Sequence, residues 1–92
     1  DRVMTTYQNE QVTLAQMRIG QTGTVVGILG GHGLIRRLDA LGIRPGRKVT
    51  KLSSTIFRGP VILRANSTQV AVGFGMARRI LVELDRYLPR AS

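Results

Sequence analysis

Apolar residues along this chain recur mostly at intervals of two, in short runs separated by glycine, proline and asparagine. That spacing places alternate side chains on opposite faces of an extended chain and predicts β-strands. The run Thr24–Leu29, TVVGIL, reads as a β-branched strand with Val26 and Ile28 on one face and Val25 on the other. Arg47 to Ser53, Val61 to Arg64 and Gln69 to Val72 read as three further strands. In the last run Ile80, Val82 and Leu84 alternate with Leu81 and Glu83, which marks a strand with one apolar face. One stretch breaks the period. In GLIRRLDALGIRPG, Leu34, Leu38 and Leu41 fall four and three residues apart, so they share one face of a helix while Arg36, Arg37 and Asp39 point elsewhere.

Punctuation between these runs is specific. Thr13 suits the N-cap of a helical turn in TLAQM, with Leu14 and Met17 turned inward. Gly20 and Gly23 bracket a turn, and Gly30, Gly31 and Gly33 allow a sharp reversal between the first strand and the helix. Gly42 stands where a left-handed helix C-cap is needed, and Pro45-Gly46 fits the centre of a type II turn. Arg58-Gly59-Pro60 is a break, Asn66-Ser67 a hairpin turn, and residues 73–79 hold a single helical turn with Met76 and Ala77. The expected fold is mostly β: five short antiparallel strands, one short helix after the first strand, and helical turns. With no long βαβ spacing, a small, partly open antiparallel barrel best hides the strand edges. Residues 1–12 read as a flexible extension, 13–85 as the domain and 86–92 as a tail.

Composition narrows the class. At 92 residues, 42% apolar and 21% charged, the chain supports one modest core. Cysteine is absent, so no disulfide or thiolate metal site braces it. No apolar run approaches a membrane span and the first dozen residues are polar, so the expected location is the cytoplasm. The net charge of +9 draws an acidic partner, and nucleic acid, anionic lipid and an acidic protein surface all answer that description.

Catalytic chemistry finds little material. GILGGHG lacks the lysine and hydroxyl residue that end a Walker loop and the spacing and βαβ setting of a dinucleotide loop. His32 is the only histidine, and the acids are scattered as Asp1, Glu10, Asp39, Glu83 and Asp85, of which Glu83 and Asp85 would share one solvated strand face. No metal site, cofactor or nucleophile–base pair follows from these residues, and the chain is expected to be a binding protein and not an enzyme. Four scattered aromatics, Tyr7, Phe57, Phe74 and Tyr87, offer only a thin platform for stacking bases.

The stretch GTVVGILGGHGLIRRLDALGIRPGRKV, followed by GPVILRANSTQVAVGFGMARRILVEL, resembles the FeoA family, the small cytoplasmic component of bacterial ferrous iron transport. The phrase RLDALGIRPG at Arg37 to Gly46, then Gly59-Pro60 and Val70-Ala71-Val72-Gly73 with Ala77 and Ile80, carries the likeness. Lys51 departs from it, occupying an alternating strand position where an apolar residue is expected. The resemblance implies an SH3-like β-barrel acting as an accessory to FeoB, a membrane permease with a cytosolic GTP-binding domain, in the cytoplasm or at the inner face of the membrane. Exposure arguments name Arg36, Arg37, Arg44 and Arg47 as candidate contacts, with Gly31, Gly33, Gly42, Pro45 and Gly46 as the structural turns beside them. The alternatives are a basic nucleic-acid-binding barrel and an oligomer formed through an unpaired strand edge.

Overall fold

A computed structural model describes residues 10–54 and 58–85 of the chain. The elements in order are β1 (Gln11–Thr13), a 3-10 turn (Leu14–Gln16), β2 (Thr22–Ile28), helix α1 (His32–Ala40), β3 (Lys48–Ser54), β4 (Val61–Ala65), β5 (Thr68–Val72), helix α2 (Phe74–Ala77) and β6 (Ile80–Leu84). The strands form one antiparallel sheet in the order β1-β6-β2-β3-β4-β5, unclosed, with β1 and β5 at its edges.

The expected count of five strands is therefore corrected to six, and the helix follows the second strand. The added strand, β1, is too short to show a period. It exists because β6 offers it a ladder, Gln11 opposite Glu83 and Thr13 opposite Leu81. Two of its residues, Gln11 and Val12, fall in the stretch read as a loose extension. Thr13 caps the 3-10 turn as its sequence suggests: the Gln16 amide donates to its hydroxyl at 3.2 Å, and its own amide donates to the Gln16 side chain at 2.9 Å. Leu14 and Met17 are both buried beneath this turn.

Strand β2 departs from the expected facing, because Val26 and Ile28 do not share a face. The register between β2 and β6 shifts between Val25 and Gly27, so a bulge at Val26 breaks the alternation. Val25 is buried, Val26 is exposed, and Ile28 packs on the core. Gly23 belongs to the same strand and not to a turn. A Cβ there would lie 2.5 Å from Val82 Cγ1 and 2.6 Å from the Glu83 carbonyl oxygen, so its bare backbone lets β2 and β6 approach.

Helix α1 ends in a Schellman motif. The Gly42 amide donates to the Asp39 carbonyl and the Ile43 amide to the Leu38 carbonyl, both at 2.9 Å, with Gly42 at φ +87°. This geometry decides which residue after the helix enters the core. Leu38 and Ile43 are both 0% exposed, whereas Leu41, expected on the inward face, lies at the cap and is 38% exposed. Arg44-Pro45-Gly46-Arg47 then closes the anticipated type II turn, with Gly46 at φ +95° and the Arg47 amide donating to the Arg44 carbonyl at 3.0 Å. Gly31 and Gly33 play a different part from the one expected of them. Neither has a positive φ and a Cβ on either would meet nothing, because Gly31 is an extended N-cap and Gly33 lies in the helix. The close approach belongs to Gly30, whose Cβ would sit 2.6 Å from Leu34 Cδ2. The hairpin between β4 and β5 turns on Asn66 at φ +61°, with Ala65 opposite Thr68.

Candidate protein-interaction surface

Four arginines were the candidate contacts, and the structure treats them differently. Arg36 and Arg37 stand exposed on α1, because burial of Leu38 turns the inward face of the helix away from them. Neither has an ion-pair partner among the described residues. Arg44 is exposed too, but its guanidinium donates to the Asp39 carboxylate at 2.7 Å, so its charge is partly spent within the chain. Arg47 is half-buried, and the backbone around it is bolted to β2: the Val25 amide donates to the Arg47 carbonyl at 2.9 Å and the Gly46 amide to the Val25 carbonyl at 2.8 Å. Lys48 is tied to Asp85, meeting both carboxylate oxygens at 2.6 Å. Asp85 remains 43% exposed in this pair, whereas Glu83 is half-buried within the sheet. Arg36 and Arg37 thus keep the most available charge of the four.

Apolar surface accompanies this charge. Leu29 is 55% exposed, and Ile35 and Leu41 are exposed at the two ends of α1. A groove of about 330 Å³ is lined by Leu34 of α1 and by Gly73, Gly75, Met76 and Arg79 around α2. The Leu29 amide donates to the Arg79 carbonyl at 2.7 Å, which joins the end of β2 to this region. The sequence left Arg78 and Arg79 out of the candidate set. They lie on the short segment between α2 and β6, whose place beside α1 depends on long-range packing.

Lys51 is the buried cation among the described residues, at 3% exposure. Its ammonium donates to three backbone carbonyls, Leu14 at 3.3 Å, Ala15 at 3.0 Å and Met17 at 2.7 Å. All three donors are used on the carbonyl end of the 3-10 turn, which has no other continuation. The alternation did mark this position as inward-facing; the acceptors waiting there come from a segment more than thirty residues earlier. Burial disfavours the charged form and lowers the Lys51 pKa from its ordinary 10.5. The unfolded chain then holds more protons than the folded one between the lowered value and 10.5, so the Lys51 contribution to stability rises with pH through that interval. Denaturant melts of the parent and of Lys51→Met across this alkaline range test the sign. The parent-minus-variant difference should grow with pH, and a difference that falls would show that the three carbonyls outweigh desolvation.

Among the described residues no three of His, Cys, Asp and Glu approach closely enough to hold a metal ion. His32 is exposed at the first position of α1. No described helix is long and apolar enough to cross a membrane. The arrangement can bind through charge and apolar contact.

Comparison with known proteins identifies the family. The FeoA domain model matches residues 12–84. A candidate Fe(2+) transport protein A of Methanocaldococcus jannaschii is 34% identical over 74 residues, which span 80% of this chain and 88% of that one. The crystal structure of an iron uptake regulatory protein, FeoA, superposes with a TM-score of 0.77 at 36% identity, covering 82% of this chain and 99% of the other. FeoA of Stenotrophomonas maltophilia, solved with zinc and described as an SH3 domain protein, is similar at a TM-score of 0.67 and 22% identity, covering 78% and 89%. That last likeness bears on fold alone. An open six-stranded antiparallel sheet with short helices, a family match over most of the chain and a relative above 30% identity lead to one assignment: the chain belongs to the FeoA family, that of ferrous iron transport protein A.

Proposed function

We propose that this protein is a cytoplasmic accessory or regulatory protein of ferrous iron uptake, which acts by binding the FeoB permease through its cytosolic GTP-binding domain. Family membership supports the transport role. The observation that carries the docking is the exposed Arg36-Arg37 pair on α1, without an ion-pair partner among the described residues and next to exposed Ile35. Charge beside apolar surface suits a protein partner, with the arginines steering encounter and the apolar atoms supplying burial. In this reading the protein works at the inner face of the membrane without spanning it.

Reversal of both charges, Arg36→Glu with Arg37→Glu, should weaken binding to the soluble domain of the permease by about tenfold at low salt, since each rim charge contributes on the order of 1 kcal/mol or less. The loss should shrink as ionic strength rises, and the thermal melt should stay within a few degrees of the parent. Titration at two salt concentrations, with a duplex and a single-stranded oligonucleotide as competitors, checks this. Retained permease affinity with lost oligonucleotide binding would transfer the basic surface to nucleic acid.

A further inference from the structure

Two cations converge on a second recess, away from the four arginines discussed above. It measures about 130 Å³ and is lined in part by Lys51, Ser54, Arg58, Gly59 and Phe74. Arg58 reaches it from a left-handed backbone, φ +57°, which a residue with a Cβ enters only when its surroundings hold it there. Its guanidinium lies over the Phe74 ring, 5.7 Å from the centroid. This cation–π contact sets the guanidinium beside the ring, with N–H groups able to meet a planar or tetrahedral anion.

The Lys51 ammonium behind it spends its three donors on carbonyls, not on a carboxylate, so hydrogen bonding is satisfied while the charge is not. Among the described residues no Asp or Glu lines the recess. Asp39 and Asp85 are committed elsewhere, to Arg44 and Lys48. A buried positive charge acts through low-dielectric surroundings, so its field reaches into the recess with little screening. Among the described lining residues there are two cations and no anion. The available space suits a group of a few heavy atoms.

From the convergence of Arg58, set over Phe74, with Ser54 and the ammonium of Lys51, we infer that this recess binds an oxyanion, a carboxylate or phosphate group. Arg58 donates to it, in the two-point manner guanidinium favours, and the Ser54 hydroxyl of the same lining donates as well. Lys51 contributes its field and no hydrogen bond, its donors being already engaged. The site does not depend on the permease reading, because none of its residues belongs to the α1 surface.

Amide and arginine side-chain NMR titrations of the whole chain, with inorganic phosphate in one arm and acetate in the other at constant ionic strength, test the site. Saturable shifts confined to Ser54, Arg58, Gly59 and Phe74 are expected, and the tighter arm identifies the oxyanion class. Arg58→Gln should weaken that ligand by about tenfold or more, as loss of a charge-assisted contact does, while Arg36→Gln leaves it unchanged. Linear shifts spread over all arginines, or parent affinity in Arg58→Gln, would overturn the proposal. Should Arg58→Gln melt early, Ser54→Ala decides instead, with a loss of about threefold expected from one neutral donor and an unchanged affinity counting against the site.

Discussion

Leu38→Asp should abolish the cooperative thermal transition of this domain. Leu38 is 0% exposed at the centre of the inward face of α1, and its carbonyl accepts the Ile43 amide that closes the helix. Substitution removes a buried side chain worth about 2–5 kcal/mol by comparison with truncation to alanine. It also places a carboxylate where no donor waits, which adds a desolvation cost of several kcal/mol or drives the group neutral. A small domain is stable by only about 5–15 kcal/mol, so the folded state would hold a minor share of the molecules. Circular dichroism melts of parent and variant decide the matter. A variant that melts as the parent does would mean that α1 is not anchored to the sheet by Leu38. Leu41→Asp is the matched control: that side chain is 38% exposed, and its variant should stay folded.

The second large effect is expected from the smallest of changes, Gly23→Ala. A Cβ at this position would stand 2.5 Å from Val82 Cγ1, 2.6 Å from the Glu83 oxygen and 3.1 Å from the Glu83 carbon. Two of those three atoms are backbone of β6, so no rotamer change relieves the overlap. Gly23 pairs with Val49 on one side and Leu84 on the other, which places it between two strands with no free edge to yield toward. Overpacking of this kind costs about 1–3 kcal/mol where neighbours can shift, and more where they are main chain. Gly33→Ala should act in the opposite sense. Its backbone is helical without a positive φ and its Cβ would meet nothing, so a gain of up to about 1 kcal/mol is expected from helix propensity. Urea denaturation of both variants gives the comparison, and equal midpoints would show that β2 and β6 separate more easily than the geometry implies.

Much of this fold is local and could be read from the chain. Thr13 caps a turn, Gly42 and Gly46 enter left-handed geometry where expected, and the strands at residues 61–65, 68–72 and 80–84 alternate as their apolar positions require. Each of these follows from one residue and its near neighbours, through sterics or a period of two. The RLDALGIRPG phrase also carried the family, because a helix, its cap and the following turn must occur in that order to pack.

Other features depend on partners distant in sequence. The bulge at Val26 is a misfit between β2 and β6 and leaves no mark in TVVGIL. β1 is a strand only because β6 is beside it. Lys51 breaks an apolar alternation on paper. In the folded molecule the carbonyls of Leu14, Ala15 and Met17 converge on its ammonium, and this makes burial of a charge tolerable. Residue identity by itself determined that the protein is a basic, β-rich FeoA-family domain with a helix bearing Arg36 and Arg37. Only the tertiary structure decided which charges are left for a partner: Arg44 meets Asp39 around the helix cap, Lys48 meets Asp85 thirty-seven residues away in sequence, and an ion pair forms where three-dimensional distance allows it.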